Sequence, residues 1–157
     1  VVTVALFVDP PVDEVQRVID ATRPDLLQFH GDEEPGFCAG FGVPYIKAVK
    51  IGAAAPEARV LGYHALARGL LLDTHDPAAA GGTGRAFDWT LVPQGLARPI
   101  ILAGGLNAQN IAQAIRQVRP YAVDVSSGVE SAPGIKDAAA VREFMRAVAA
   151  VNAASGD

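Results

Sequence analysis

Short apolar runs alternate along this chain with stretches in which hydrophobic positions recur every three or four residues. The first pattern is that of strands and the second that of amphipathic helices. Val2–Val8 reads as a strand, continuous and β-branched enough to be buried on both faces. A helix over Val12–Ala21 follows, with Val12, Val15, Val18 and Ile19 on one stripe. Leu26–Phe29, Tyr45–Val49, Leu70–Leu72, Ile100–Ala103 and Tyr121–Val125 read as further strands. Between them the pattern predicts a short helix near Pro35–Phe41, a weaker one over Pro56–Arg68 and a short one opening at Asp88-Trp89. A clear helix over Asn107–Val118, capped by Asn107, and an Ala-rich helix over Asp137–Val151 complete the series.

Six β-α units in succession, with no hairpin signals, call for right-handed crossovers and an α/β fold with a parallel sheet covered by helices. No linker or low-complexity tract interrupts them, so residues 1–157 read as one domain. The spacing suits an open doubly wound sheet or a (β/α)8 TIM barrel. A barrel needs eight strands, which leads to the expectation that two β-α units are missing. The apolar opening at Val1, without a lead-in, says that they belong before it.

Polar residues gather at the strand ends. His30 follows Phe29, Lys47 lies near the end of its strand, Asp73 follows Leu72, and Gly104-Gly105 follows Ala103. Asp124 to Gly128 ends the last strand. In a parallel sheet these ends share one face, where barrel enzymes carry their chemistry. Gly104 and Gly105 could be simple turn residues, but with Ser126, Ser127 and Gly128 one strand later they read as a phosphate cup of backbone N–H groups. Asp73 reads equally as a turn former or as a general acid. His30 is a packing or capping residue on chemistry alone, with Asp32 as the helix cap, and His75 a solvated one. Asp88 and Asp137 read as N-caps, and Cys38 as a semi-buried structural thiol. The glycine-rich stretch 81–89 reads as a lid anchored by Phe87 and Trp89.

Composition narrows the function. A net charge of −4 without Lys/Arg clusters argues against a nucleic-acid surface. A single cysteine and scattered histidines give neither a disulfide framework nor a metal signature. No apolar run is long enough for a bilayer and no signal-peptide pattern occurs, so a cytoplasmic protein is expected.

Five ordered blocks then carry a resemblance: Leu-Gln-Phe-His-Gly-Asp-Glu (27–33), Leu-Leu-Asp-Thr (71–74), Gly-Gly-Thr-Gly-Arg-Ala-Phe-Asp-Trp (81–89), Leu-Ala-Gly-Gly-Leu (102–106) and Val-Asp-Val-Ser-Ser-Gly-Val-Glu (123–130). Together with Ser131 to Asp137 they resemble phosphoribosylanthranilate isomerase over essentially the whole chain. The resemblance implies a (β/α)8 barrel of tryptophan biosynthesis that uses no metal or organic cofactor. Its substrate would be N-(5-phosphoribosyl)anthranilate, converted by an Amadori rearrangement to the 1-deoxyribulose 5-phosphate product. Asp73 matches the family's general acid, and Gly104, Gly105, Ser126, Ser127 and Gly128 match its phosphate cup. His30 and Asp124 match pocket-lining positions. Family members open on a Lys-Ile-Cys-Gly strand whose Cys is the general base, with a carboxylate-binding Arg after the second strand. Neither segment is present, and Cys38 corresponds to a helix position. The expectation is therefore an impaired enzyme with unpaired strand edges, prone to self-association or homodimer formation. The alternatives are a dual histidine/tryptophan isomerase, a sugar-phosphate epimerase, or a phosphate-binding remnant without turnover.

Overall fold

The computed structural model describes residues 1–52, 62, 64–74, 88–93, 95–96 and 98–154. Six parallel strands form its sheet: β1 (Val4–Phe7), β2 (Leu26–Phe29), β3 (Tyr45–Ile51), β4 (Gly69–Thr74), β5 (Ile100–Leu102) and β6 (Ala122–Val123). They lie side by side in chain order. A doubly wound sheet reverses its strand order at a switch point. No reversal occurs here, so of the two predicted architectures the winding is that of a barrel wall.

Four α-helices have described bounds: α1 (Val12–Thr22), α2 (Pro35–Ala39), α3 (Ile111–Val118) and α4 (Ala138–Ala154). They supply two apolar clusters on one side of the sheet. Val15 of α1 and Cys38 of α2 pack with Phe7, Leu27, Phe29 and Tyr45. Ile111, Ala114 and Val118 of α3 and Phe144 of α4 pack with Leu70, Leu72, Ile100 and Leu102. The opposite face is lined by smaller groups, Ala48, Leu71 and Ala103, with Ile101 against them.

Several expectations change in detail. β1 is not buried on both faces: Phe7 is buried, whereas Val4 and Leu6 are 47% and 56% exposed. β1 is an edge strand, and alternate side chains along it point to opposite faces. Ala5 and Phe7 meet α1 and its neighbours, while Val4 and Leu6 lie on the face without helices. A hairpin that the periodicity did not signal joins β7 (Glu130–Ala132) to β8 (Ile135–Lys136), antiparallel and turning at Gly134 with φ 78°. Helix α3 opens at Ile111 rather than Asn107; Asn107 instead caps the preceding turn, accepting from the N–H groups of Gln109 (3.0 Å) and Asn110 (3.1 Å). Asp88 and Asp137 cap as expected, Asp88 accepting from Thr90 N and Asp137 from Ala139 N and Ala140 N. Asp32 caps nothing; α2 begins after Glu34, without a side-chain cap. The helix predicted over Pro56–Arg68 falls largely, and His75 and residues 81–87 of the lid fall entirely, outside the described residues.

Phe29 anchors the β1–β3 half of the core. Its ring is fully buried and lies 5.8–6.1 Å, centroid to centroid, from those of Phe7, Phe37, Phe41 and Tyr45. Phe29→Ala is expected to cost about 3–5 kcal/mol, seen in urea unfolding as a lower midpoint at unchanged slope.

Candidate active site

The hydrogen-bonding register determines which residues meet at the strand ends. Leu72 is level with Leu102, and Leu102 with Val123. The next backbone bonds, Ala103 N to Leu72 O and Asp124 N to Leu102 O, each 2.8 Å, put Asp73, Ala103 and Asp124 on one level. Two carboxylates thus flank a strand whose intervening residue is only an alanine. His30 reaches the same place from β2: its Nε2 lies 3.0 Å from Asp73 Oδ2. Gln28 Nε2 donates to His30 Nδ1 at 3.1 Å, which leaves the ring proton on Nε2, donating to Asp73. His30 and Asp73 are both partly buried. Histidine as a packing residue is therefore replaced by histidine as the partner of a carboxylate.

Burial raises the pKa of Asp124 above its ordinary 3.8, and the charge of Asp73 raises it further; His30 and Lys136 oppose the shift.

The glycine loops come together one strand further on. Gly104 and Gly105 have φ of 80° and 65°, backbone that side-chain-bearing residues rarely adopt. Asn110 holds this turn, its Nδ2 donating to Gly105 O at 2.9 Å and its Oδ1 accepting from Asn107 N at 2.9 Å. Gly128 lies against the same loop: a Cβ there would overlap the carbonyl oxygen of Leu106. The segment Ser126-Ser127-Gly128 therefore meets the loop after Gly105 backbone to backbone at Gly128. Behind Ser126 stands Lys136 of β8, donating to Ser126 O at 3.0 Å and ion-paired with Glu130. The hydrogen bond that Lys136 donates to Glu130 Oε1, with a second from Gly134 N, holds the Glu130 carboxyl below its ordinary range.

Lys47 does not join this group. Its register partners Phe29 and Leu70 belong to the clusters beneath the helices, and its ammonium is buried beside Glu33. Cys38 is fully buried in α2, its thiol pushed up to about 11, first by burial and then by the Glu33 charge. A thiol so held is no base at neutral pH. Among the described residues, no group of three His, Cys, Asp or Glu side chains could hold a metal ion, and no helix is long and apolar enough to cross a membrane. Gln28, Asn110 and Lys136 went without a role in the sequence reading, although Gln28 lies in the family-like block 27–33 and Lys136 in the family-like tail.

The sequence profile of the N-(5'phosphoribosyl)anthranilate (PRA) isomerase family matches residues 1–147. The chain belongs to the phosphoribosylanthranilate isomerase family. It is 55% identical over 148 residues to the N-(5'-phosphoribosyl)anthranilate isomerase of Pseudomonas putida strain W619, covering 94% of this chain and 72% of that relative. Among solved structures, it superposes on the Thermotoga maritima phosphoribosyl anthranilate isomerase with a TM-score of 0.84 at 36% identity, over 96% of this chain and 74% of that one. It is also similar to a phosphoribosyl anthranilate isomerase in complex with reduced 1-(o-carboxyphenylamino)-1-deoxyribulose 5-phosphate, with a TM-score of 0.80 at 33% identity, over 96% of this chain and 72% of that one. The α/β, TIM-like fold expected from the sequence is thus that of the phosphoribosylanthranilate isomerases.

The raised pKa of Asp124 gives the family site a measurable pH signature. The folded chain holds the Asp124 proton more tightly than the unfolded one, so this group's contribution is most favourable below 3.8 and is lost as pH rises through the higher folded value. Asp124→Asn, a mimic of the protonated acid, is expected to melt higher than the wild type at neutral pH. The gap should close toward pH 4; thermal unfolding of both proteins across that range measures it.

Proposed function

We propose that this chain isomerises N-(5-phosphoribosyl)anthranilate to the aminodeoxyribulose 5-phosphate product of tryptophan biosynthesis, with Asp73 as the general acid. The observation that carries this reading is the His30–Asp73 pair at the open rim, 3.0 Å apart and level with Asp124. His30 Nε2–H donates to Asp73 Oδ2 and orients the carboxyl. Asp73 passes a proton to the furanose ring oxygen as the C1–O bond breaks, and the anilino nitrogen lone pair forms the iminium ion. Loss of the C2 proton to a base then gives the enolamine, which tautomerises to the ketose. Asp124 lies across Ala103 from Asp73, where it can bind the sugar hydroxyls.

Gly104, Gly105, Ser126, Ser127 and Gly128 form the cup for the 5-phosphate. Two left-handed glycines bring backbone N–H groups close to an anion, and Gly128 keeps the second loop against the first. Such a cup holds the inert end of the substrate while the chemistry proceeds elsewhere, which supplies orientation rather than acid or base.

The six-strand sheet is best understood as part of an eight-unit barrel made by a single domain. Both its edges, β1 and β6, are unpaired among the described residues, and Val4 and Leu6 stand exposed beside one of them. Two further β-α units would cover both, and would bring the Cys base and carboxylate-binding Arg that the family resemblance assigns there. A chain without them would meet the same need by self-association through those edges. We take the cytoplasm as its place of action.

The test joins the two opening β-α units of the Pseudomonas putida relative to Val1 and measures isomerase turnover. Activity is expected, with Asp73→Asn lowering kcat by roughly 100-fold or more while KM changes little. Full turnover in Asp73→Asn would sink the assignment of the acid.

A further inference from the structure

Lys47 and Glu33 form an ion pair at 3.3 Å that is almost entirely buried, in a region otherwise packed with Phe7, Leu27 and Phe29. Burying two charges is costly, and a pair of apolar residues in their place is often as stable or more so. Stability is therefore a poor reason for the pair, and its hydrogen bonds suggest another. Lys47 Nζ donates to Gly31 O at 2.6 Å, Ala48 O at 3.0 Å and Phe29 O at 3.3 Å. Phe29 and Gly31 are the two neighbours of His30. The ladder between β2 and β3 ends at Phe29–Lys47, so His30 lies one residue beyond the last regular rung. The ammonium takes over where the ladder stops.

Glu33 completes the arrangement. Its Oε2 faces the ammonium, and its Oε1 accepts from Asp9 N at 2.9 Å and Gly31 N at 3.1 Å. Asp9 in turn accepts from Asp32 N at 2.7 Å, and His30 N donates to Phe7 O at 2.8 Å. The backbone from Phe29 to Gly31 is thus tied at each residue to β1, to β3 or to this pair, and Asp32 to Asp9 just beyond β1. The His30 ring lies between Gln28 and Asp73.

We infer that Lys47, neutralised by Glu33, is a positioning residue that locks the backbone on both sides of His30 and so keeps its imidazole on Asp73. The inference rests on the reading of Asp73 as the acid. Lys47 touches no substrate and acts only through His30.

The whole chain with ¹⁵N-labelled histidine provides the first test. Lys47→Met alone leaves the Glu33 carboxylate buried without its cation and is expected to fold poorly. Lys47→Met/Glu33→Gln removes both charges and keeps an amide oxygen for the Asp9 and Gly31 N–H groups. The double variant is expected to melt cooperatively, yet His30 should lose the ring ¹⁵N shifts of a single Nε2–H tautomer and its hydrogen-bonded ring proton. A folded double variant with unchanged His30 ring resonances would overturn the inference.

The second test is turnover in the barrel completed with the Pseudomonas putida units. The double variant should lower kcat roughly tenfold with KM little changed, as expected for a displaced catalytic group. In a His30→Asn background it should cause no further loss, because the two changes act through one side chain. Equal losses in both backgrounds would overturn the inference. If Asp73→Asn kept full turnover, the reading of the acid would fall, and the ring resonances would still decide whether Lys47 orders His30.

Discussion

Every functional position in this molecule depends on strands that all run the same way and pair in chain order. Parallel pairing gives no freedom to present a strand end elsewhere: once Leu72, Leu102 and Val123 are level, Asp73 and Asp124 must be neighbours across Ala103. The residue types at the rim matter only because this constraint has already brought them together. Ala103 shows the point: a large side chain there would fill the space between the two carboxylates.

Two lysines support the rim from behind, in similar ways. Lys47 holds carbonyl oxygens beside His30 and is neutralised by Glu33; Lys136 holds the Ser126 carbonyl and is neutralised by Glu130. Their energetics differ. The first pair is out of water, so loss of one partner leaves an uncompensated buried charge. The second is half exposed at Lys136, and water can replace much of what it provides. The tie beside His30 is thus buried, and the one behind Ser126 is open to solvent on its lysine side.

How much of this was legible depended on range. Strand and helix order could be read because apolar periodicity is local: Leu26–Phe29 stands as predicted, and most other elements differ by a residue or two. The glycine loops could be read because positive φ restricts the residue type at the position itself. The His30–Asp73 pair could not be derived, since the partners are separated by 43 positions and only the register across β3 brings them together. The exposure of Val4 and Leu6 escaped for a related reason: composition says that a strand is apolar, but not whether anything covers its second face. The β7–β8 hairpin was missed because its strands are two and three residues long, too short for alternation to register.

The contact between Gly128 and the Leu106 carbonyl has a mechanical consequence. No side chain separates the two loops at this point, so their spacing there is determined by the van der Waals radii of main-chain atoms and not by a rotamer. Rotamers hop, and their populations change with temperature; the thickness of a peptide group does not. Any side chain at position 128 would have to push the two loops apart by the thickness of its own Cβ.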